Sequence, residues 1–148
     1  MNKFLPMQKA IDLAKKAALK GEIPVGAVIV KDQKIIASGM NVRESKKNAI
    51  WHAEMVAIDK ACKALGDWRL EGCTLFVTLE PCMMCLGACA NARIDKVVFG
   101  AFDPKGKKQK LQQISALNHN LVVEGGEMEE ECKRILQDFF KNRRQESH

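Results

Sequence analysis

The chain has 148 residues, of which 47% are hydrophobic and 28% are charged, and its formal net charge is +6. A chain of this length can bury roughly 70% of its unfolded surface in one core, so we expect a single domain over residues 1–148. Lysines interrupt the apolar residues near the N-terminus, and the longest apolar runs are far shorter than the ~20 residues that cross a bilayer. We therefore expect a cytoplasmic protein with no signal peptide and no membrane helix.

Cysteine content and charge distribution indicate which bonds the cysteines form and which kind of partner the protein binds. Six cysteines in a chain with a full-sized core favour free thiols or metal thiolates over a disulfide framework. Lysines are concentrated in one segment and glutamates in another, namely Lys105, Lys107, Lys108 and Lys110, then Glu124, Glu127, Glu129, Glu130 and Glu131. A basic balance of this kind favours a polyanionic partner such as nucleic acid, the alternative being a solvated lysine-rich loop.

The first half of the chain predicts a helix, two strands and a second helix, from helical spacing of apolar residues and from β-branched runs. These elements span Phe4–Lys20, Val25–Lys31, Lys34–Ser38 and Ala53–Leu65. Gly21 and Gly66 are expected to end the two helices, and Gly39 the second strand. Asp32 and Gln33 form a polar pair that is compatible with a tight hairpin turn.

The second half predicts three further strands and two further helices. The strands are Thr74–Leu79, Lys96–Ala101 and Leu121–Val123, and the helices are Pro81–Ala92 and Glu127–Arg144. Helices that alternate with strands predict an α/β fold. We expect a three-layer α/β/α sandwich on a five-stranded, mostly parallel mixed sheet whose first two strands form an N-terminal β-hairpin.

Two short segments carry the residues that are most indicative of chemistry. His52-Ala53-Glu54 is followed, 27 residues after Glu54, by Pro81-Cys82-Met83-Met84-Cys85. Together they fit the signature of zinc-dependent nucleobase deaminases, in which H-x-E precedes P-C-x-x-C. A Cys-x-x-Cys pair alone could also be a redox motif, and it is the combination with the His-x-Glu triplet and Pro81, with room for a helix and a strand between the two segments, that favours zinc.

The residue types and their spacing explain this interpretation. Cys82 and Cys85 are three residues apart at the start of a predicted helix, where both sulfurs can reach one ion and the helix dipole favours negative charge. His52 supplies a third ligand, which leaves the fourth tetrahedral position open, as in catalytic zinc sites. The remaining cysteines are expected to be buried hydrophobic residues, although Cys89, four residues beyond Cys85, could face the same site.

Glu54 is the predicted proton carrier. It follows His52 by two residues, about 200° around an ideal helix, so it is poorly placed to bind the same ion. Its carboxylate can instead take a proton from the attacking water and return it to the departing amine.

Further motifs are spread along nearly the whole chain. They are Pro24-Val25-Gly26-Ala27-Val28, Asn41, Thr78-Leu79-Glu80-Pro81-Cys82, Arg93-Ile94 and Phe139-Phe140-Lys141-Asn142-Arg143-Arg144-Gln145. With the His-Ala-Glu segment and Cys85, they resemble the bacterial tRNA-specific adenosine deaminases of the cytidine and deoxycytidylate deaminase superfamily.

The resemblance implies a cytidine-deaminase-like fold, a homodimer, one zinc per subunit, and hydrolytic conversion of adenosine to inosine at the wobble position of a tRNA anticodon. It implies that Asn41 hydrogen-bonds the target base. It also implies contacts with the anticodon loop in regions that contain Asp103, Lys105, Asn118, Phe140 and Arg144.

Three other functions are open. The first is a deaminase of a free base or nucleoside, of the guanine or cytosine type, on the same fold; the arginine-rich C-terminal end favours RNA instead. The second is a non-catalytic, zinc-stabilised RNA-binding protein, against which the intact Glu54 argues. The third is a thiol-redox protein, which would require neither His52 nor Glu54.

Overall fold

The protein is described here from a computed structural model that covers residues 2–105 and 120–146. Within these residues the helices are α1 (Leu5–Leu19), α2 (Ala53–Leu65), α3 (Met83–Asn91) and α4 (Glu129–Glu146). The strands are β1 (Gly26–Lys31), β2 (Lys34–Met40), β3 (Cys73–Leu79), β4 (Lys96–Ala101) and β5 (Val122–Gly125). No helix in the described part of the chain has the length and apolar character needed to cross a membrane.

The five strands form one mixed sheet in the order β2-β1-β3-β4-β5. β1 is antiparallel to both of its neighbours, whereas β3, β4 and β5 are paired in parallel. Four of the strands therefore run in one direction and β1 runs in the other. β1 and β2 form the predicted hairpin, and Asp32 and Gln33 at its turn have positive φ angles of 49° and 63°, as in a tight two-residue turn.

Helices cover both faces of the sheet. α1 and α4 pack on one face, where Met7, Ala10 and Ile11 of α1 meet Val98, Ala101 and Cys132. α2 and α3 pack on the other, where Ala57, Ile58 and Cys89 join the larger apolar core. This arrangement confirms the predicted α/β/α sandwich. It also brings the N-terminal ends of α2 and α3 to the same edge of the sheet.

Gly39 has a different role from the predicted one. β2 continues through it to Met40, so the prediction that Gly39 ends the strand was wrong. A Cβ atom at this position would lie 2.6 Å from the Ala53 carbonyl oxygen and 2.8 Å from the Ala57 nitrogen of α2. Glycine is therefore required for the close approach of helix to strand, rather than for a turn.

The start of α3 also differs from the prediction. The helix begins at Met83, because Cys82 has extended backbone angles (φ −72°, ψ 171°) and is its N-cap residue. Pro81 lies just outside the helix rather than in its first turn. This shift places the two cysteines of the Cys-x-x-Cys segment at the N-cap and in the first turn of α3.

Candidate metal centre and pocket

His52, Cys82 and Cys85 converge at the edge of the sheet. The His52 Nδ1 atom lies 3.7 Å from Cys82 Sγ and 3.6 Å from Cys85 Sγ. The possible metal-ligand atoms of these three side chains all lie within 4.8 Å of one another. Among the histidine, cysteine and acidic residues that the structure describes, this is the group of three that could hold a metal ion. The sequence allowed Cys89 to face the same site. In the structure Cys89 is fully buried and does not belong to this group.

Two helix N-termini position these side chains. His52 is the N-cap residue of α2 and has extended backbone angles (φ −68°, ψ 159°), and Cys82 has the same role in α3. Neither side chain is used as a helix cap, so both remain directed to other partners. The positive ends of two helix dipoles meet here, and they stabilise thiolate charge.

The donor set fits zinc. Zn–S bonds of about 2.3 Å and Zn–N bonds of about 2.0–2.1 Å at a tetrahedral angle separate nitrogen and sulfur by about 3.5 Å. The two Nδ1–Sγ distances of 3.7 and 3.6 Å agree with this separation. One imidazole and two thiols are soft and borderline ligands that zinc prefers, and three ligands leave a fourth position for a reactant.

The two thiols have opposite protonation preferences. Cys82 accepts a hydrogen bond from Cys85, and this bond, aided by backbone groups and His52, lowers the pKa of the Cys82 thiol to about 5. The same hydrogen bond, together with burial, raises the pKa of Cys85. Cys82 is therefore the sulfur that more readily carries negative charge.

Glu54 lies in the first turn of α2, beside these ligands. It is only 4% exposed, and its carboxyl group interacts with Cys85. Burial raises the pKa of Glu54 above its ordinary value, against the opposing effects of a backbone hydrogen bond and His52. A buried carboxylate with a raised pKa accepts a proton more readily than an ordinary carboxylate does.

A cavity of about 190 Å³ opens beside the metal-binding group. It is lined by Ile23, Val25, Asn41, Arg43, His52, Ala53, Glu54, Leu79, Glu80, Cys82 and Asp103. Pockets for drug-sized ligands measure ~300–1,000 Å³, so this cavity suits one ring system better than a whole nucleotide. A larger groove between α1 and α4 contains none of the metal-binding side chains.

Asn41 contributes to the cavity wall and is held there by three hydrogen bonds. Its backbone N–H donates to Val25 O at 3.1 Å and its Nδ2 to Ile23 O at 3.1 Å. Its Oδ1 accepts from the Arg43 backbone N–H at 3.0 Å. A carboxamide has two donor hydrogens and two acceptor lone pairs, so these bonds to described residues leave Asn41 one of each for a ligand.

Asp103 forms part of the opposite wall. Its backbone N–H donates to Glu80 Oε1 at 2.9 Å, and Glu80 is itself fixed by donation of its N–H to Ala101 O. Asp103 Oδ1 accepts from the Lys105 backbone N–H at 2.9 Å. Lys105 is exposed and is not among the residues that line the cavity.

The remaining predicted site residues are not in the cavity. Phe140 and Arg144 lie near the end of α4, where Arg144 Nε donates to Phe140 O at 3.4 Å and Phe140 stacks edge-to-face on Phe139. Asn118 and the predicted lysine segment beyond Lys105 lie outside the described residues. The structure thus brings together His52, Cys82, Cys85, Glu54, Asn41 and Asp103, and it places Lys105, Phe140 and Arg144 elsewhere on the surface.

Sequence reasoning missed several residues of the cavity wall. Arg43 and Glu80 line the cavity although neither was predicted to do so. Glu80 directly precedes the Pro-Cys segment, which is a signal that could have identified it. Arg43 lies two residues after the predicted Asn41, whose Oδ1 accepts its backbone N–H, and this proximity is also a signal that could have identified it.

Comparisons with known proteins agree with this geometry. The family model of MafB19-like deaminases matches residues 1–144. The tRNA-specific adenosine deaminase of Bacillus subtilis (strain 168) is 54% identical over 144 residues, which are 95% of this chain and 89% of that protein.

Solved structures are similar as well. One, from a study of A-to-I editing by tRNA:A34 deaminases at the wobble position of transfer RNA, superposes with a TM-score of 0.84 at 38% identity, over 88% of this chain and 98% of the other. The guanine deaminase from Bacillus subtilis gives a TM-score of 0.66 at 44% identity, over 69% of this chain and 66% of the other.

Proposed function

The chain belongs to the MafB19-like deaminase family, and from this membership we propose that it catalyses the zinc-dependent hydrolytic deamination of adenosine to inosine at the wobble position of a tRNA anticodon. One observation carries the proposal. The buried Glu54 carboxyl group lies beside a His52, Cys82 and Cys85 group of zinc-binding geometry, in a chain 54% identical to a tRNA-specific adenosine deaminase.

His52, Cys82 and Cys85 would hold one zinc ion per subunit. When bound, zinc acts as a Lewis acid that makes hydroxide available at neutral pH. Glu54 Oε would accept the proton of the attacking water and then donate it to the amine that leaves as ammonia. The burial that raises the pKa of Glu54 suits both transfers, because the group must be a base in one step and an acid in the next.

The cavity would hold the adenine ring. Asn41, with one free donor and one free acceptor, would hydrogen-bond the base, and Ile23 and Leu79 would contact its faces. An anticodon base can be splayed out of its loop at a cost of a few kcal/mol, so a cavity of this size can accept it.

The rest of the anticodon loop would lie on the surface outside the cavity. We assign Lys105, Phe140 and Arg144 to this surface, with Asp103 at the cavity lining beside it. Asn118, a further predicted RNA contact, lies outside the described residues. The net charge of +6 would attract the RNA at long range.

We also propose that the protein is a cytoplasmic homodimer. Ile50, Met83 and Met84 are 46%, 39% and 37% exposed near the metal-binding group. Apolar side chains grouped in this way are typical of a surface that a second subunit covers. Light scattering after size exclusion would test the dimer, with a mass near 33 kDa expected from the 16.5 kDa chain and a mass near that of one chain opposing it.

Guanine deamination is the second candidate, because the chain is also similar to a guanine deaminase. The zinc chemistry would be the same, and the two functions would differ in the cavity wall and the outer surface.

The test is to incubate the purified, zinc-loaded protein with an anticodon stem-loop that carries adenosine at the wobble position, and separately with free adenosine, cytidine and guanine. Inosine is expected only in the stem-loop, and a stem-loop with guanosine at that position is the matched control. Turnover of a free base or nucleoside without inosine in the stem-loop would keep the deaminase chemistry and reject the RNA substrate.

A further inference from the structure

Glu22 is a buried carboxylate outside the metal-binding group and the cavity lining. It is 1% exposed. Its Oε1 accepts a hydrogen bond from the Glu44 backbone N–H at 2.9 Å, and its Oε2 accepts from the Ser45 N–H at 2.8 Å and the Ser45 Oγ at 2.7 Å. One side chain therefore binds three donors of a segment that follows β2.

The end of α1 fixes the position of Glu22. Gly21 adopts a left-handed conformation (φ 78°), its N–H donates to Ala18 O, and the Glu22 N–H donates to Ala17 O. This pair of bonds is the Schellman arrangement that ends a helix. Arg143 of α4 donates from Nη2 to Gly21 O at 3.0 Å, so a contact from the C-terminal helix also stabilises the end of α1.

The segment that Glu22 holds is the one that forms a wall of the cavity. Asn41 and Arg43 line the cavity, and Glu44 and Ser45 follow them directly. Residues 43–50 are all exposed, so apolar burial does little to fix them. Asn41 bonds to Ile23 and Val25, which follow Glu22 along the chain and also line the cavity.

We propose that Glu22 is a positioning residue for the substrate cavity, because its carboxylate fixes the Asn41–Ser45 segment against the Ile23–Val25 segment and so sets the wall that contacts the base. Glu22 is not among the residues that line the cavity, and it acts through Asn41 and Arg43. This proposal rests on the proposed function only in that the cavity binds a nucleobase.

A carboxylate suits this role better than a neutral side chain. Two oxygens that carry a negative charge can satisfy all three donors with strong, charge-assisted bonds. Burial acts to raise the pKa of Glu22, but the Ser45 and Glu44 hydrogen bonds and the Arg143 charge outweigh it and lower the pKa below its ordinary value. The group is therefore ionised at neutral pH, and the bonds are present when the enzyme works.

The test compares Glu22→Gln, Ser45→Ala and the control Glu71→Gln, all loaded with zinc and normalised to metal content. Gln has one acceptor oxygen, so it must leave donors of the segment unpaired. Ser45→Ala removes the 2.7 Å hydroxyl bond to Glu22, along with the longer contact of that hydroxyl with Val42 O at 3.3 Å, at an exposed position, and should fold. Glu71 is exposed on the loop before β3, at the other end of the sheet, so Glu71→Gln changes charge alone.

The expected result is a rise in KM of about tenfold for Glu22→Gln and about threefold for Ser45→Ala, with kcat within about twofold, because substrate contacts change while the metal ligands and Glu54 do not. The control should leave both constants unchanged. A merely structural role would lower the active fraction, and hence kcat, at constant KM. Unchanged KM in Glu22→Gln would overturn the proposal, and if that variant does not fold, the KM of Ser45→Ala decides.

Failure of the proposed function would be distinguishable from failure of the Glu22 proposal. It would appear as a wild-type protein that forms no inosine in the stem-loop. The same KM comparison would then be made on the base that the wild-type protein does deaminate, with the same expected and overturning results.

Discussion

The floor and the outer wall of the cavity are built in different ways. The floor consists of His52, Glu54, Cys82 and Cys85, which lie within one turn of the N-termini of α2 and α3. One part of the wall contains the buried Asn41 and the exposed Arg43, and the chain that follows them is held by Glu22, a residue at the end of a different helix. Two packed helix N-termini position the floor, whereas hydrogen bonds between segments about 20 residues apart position this part of the wall.

This difference separates the residues that we assign to the chemistry from those that we assign to contact with the base. A helix N-terminus is stabilised by the packing of the whole helix, and this packing holds the side chains to which we assign the chemistry. A segment fixed by a few polar bonds can change in sequence or shape without loss of the core. Similar floors with different walls would account for the likeness of this chain to both an adenosine and a guanine deaminase.

The largest effect is expected from a change in the floor. Cys82→Ser replaces the thiol whose pKa is lowest with a hydroxyl that is a poor zinc ligand, so both bound zinc and deamination should be lost. Metal analysis and the deamination assay would be run on the same sample, with Cys62→Ser, a cysteine on α2 remote from the site, as the control. Full zinc content in Cys82→Ser would contradict the ligand assignment.

The smallest effect is expected in the wall, as a pH dependence of stability. The pKa of Glu22 is lowered in the folded protein, so its stabilising contribution is present above the unfolded-state pKa near 4.3 and is lost as pH falls through the folded value. Glu22→Gln should lower the free energy of unfolding by about 1–3 kcal/mol at pH 7. The difference between wild type and variant should shrink below about pH 4.

Urea unfolding of both proteins at pH 7, 5 and 3.5 measures this difference. Comparison at equal pH removes the contribution of metal release, which affects wild type and variant alike. A difference that is constant across the series would mean that the ionised carboxylate is not what holds the wall.

The same contrast explains what could be predicted from the sequence. α2 (Ala53–Leu65) and β4 (Lys96–Ala101) have the predicted bounds, because apolar spacing and the glycine after α2 are local signals. The four residues of the floor were also predicted, since short motifs with fixed spacing encode them. Their convergence in the structure agrees with the roles that we propose.

Features that depend on distant partners were missed. Gly39 looked like a strand end, and its place inside β2 is explained only by the backbone of α2. Glu22 follows a helix-ending glycine, where a charged residue is normally solvated, and nothing nearby in sequence indicates that Glu44 and Ser45 bury it.

The central claim is that His52, Cys82 and Cys85 hold zinc while Glu54 moves the protons, and Glu54→Ala tests it most directly. Zinc content and inosine formation in the anticodon stem-loop would be measured on one preparation. We expect a full complement of one zinc per chain with kcat reduced by at least about 10²–10⁴-fold, the range that general acid–base catalysis contributes. Loss of zinc together with activity, or activity that survives, would contradict the assignment of Glu54 as the proton carrier.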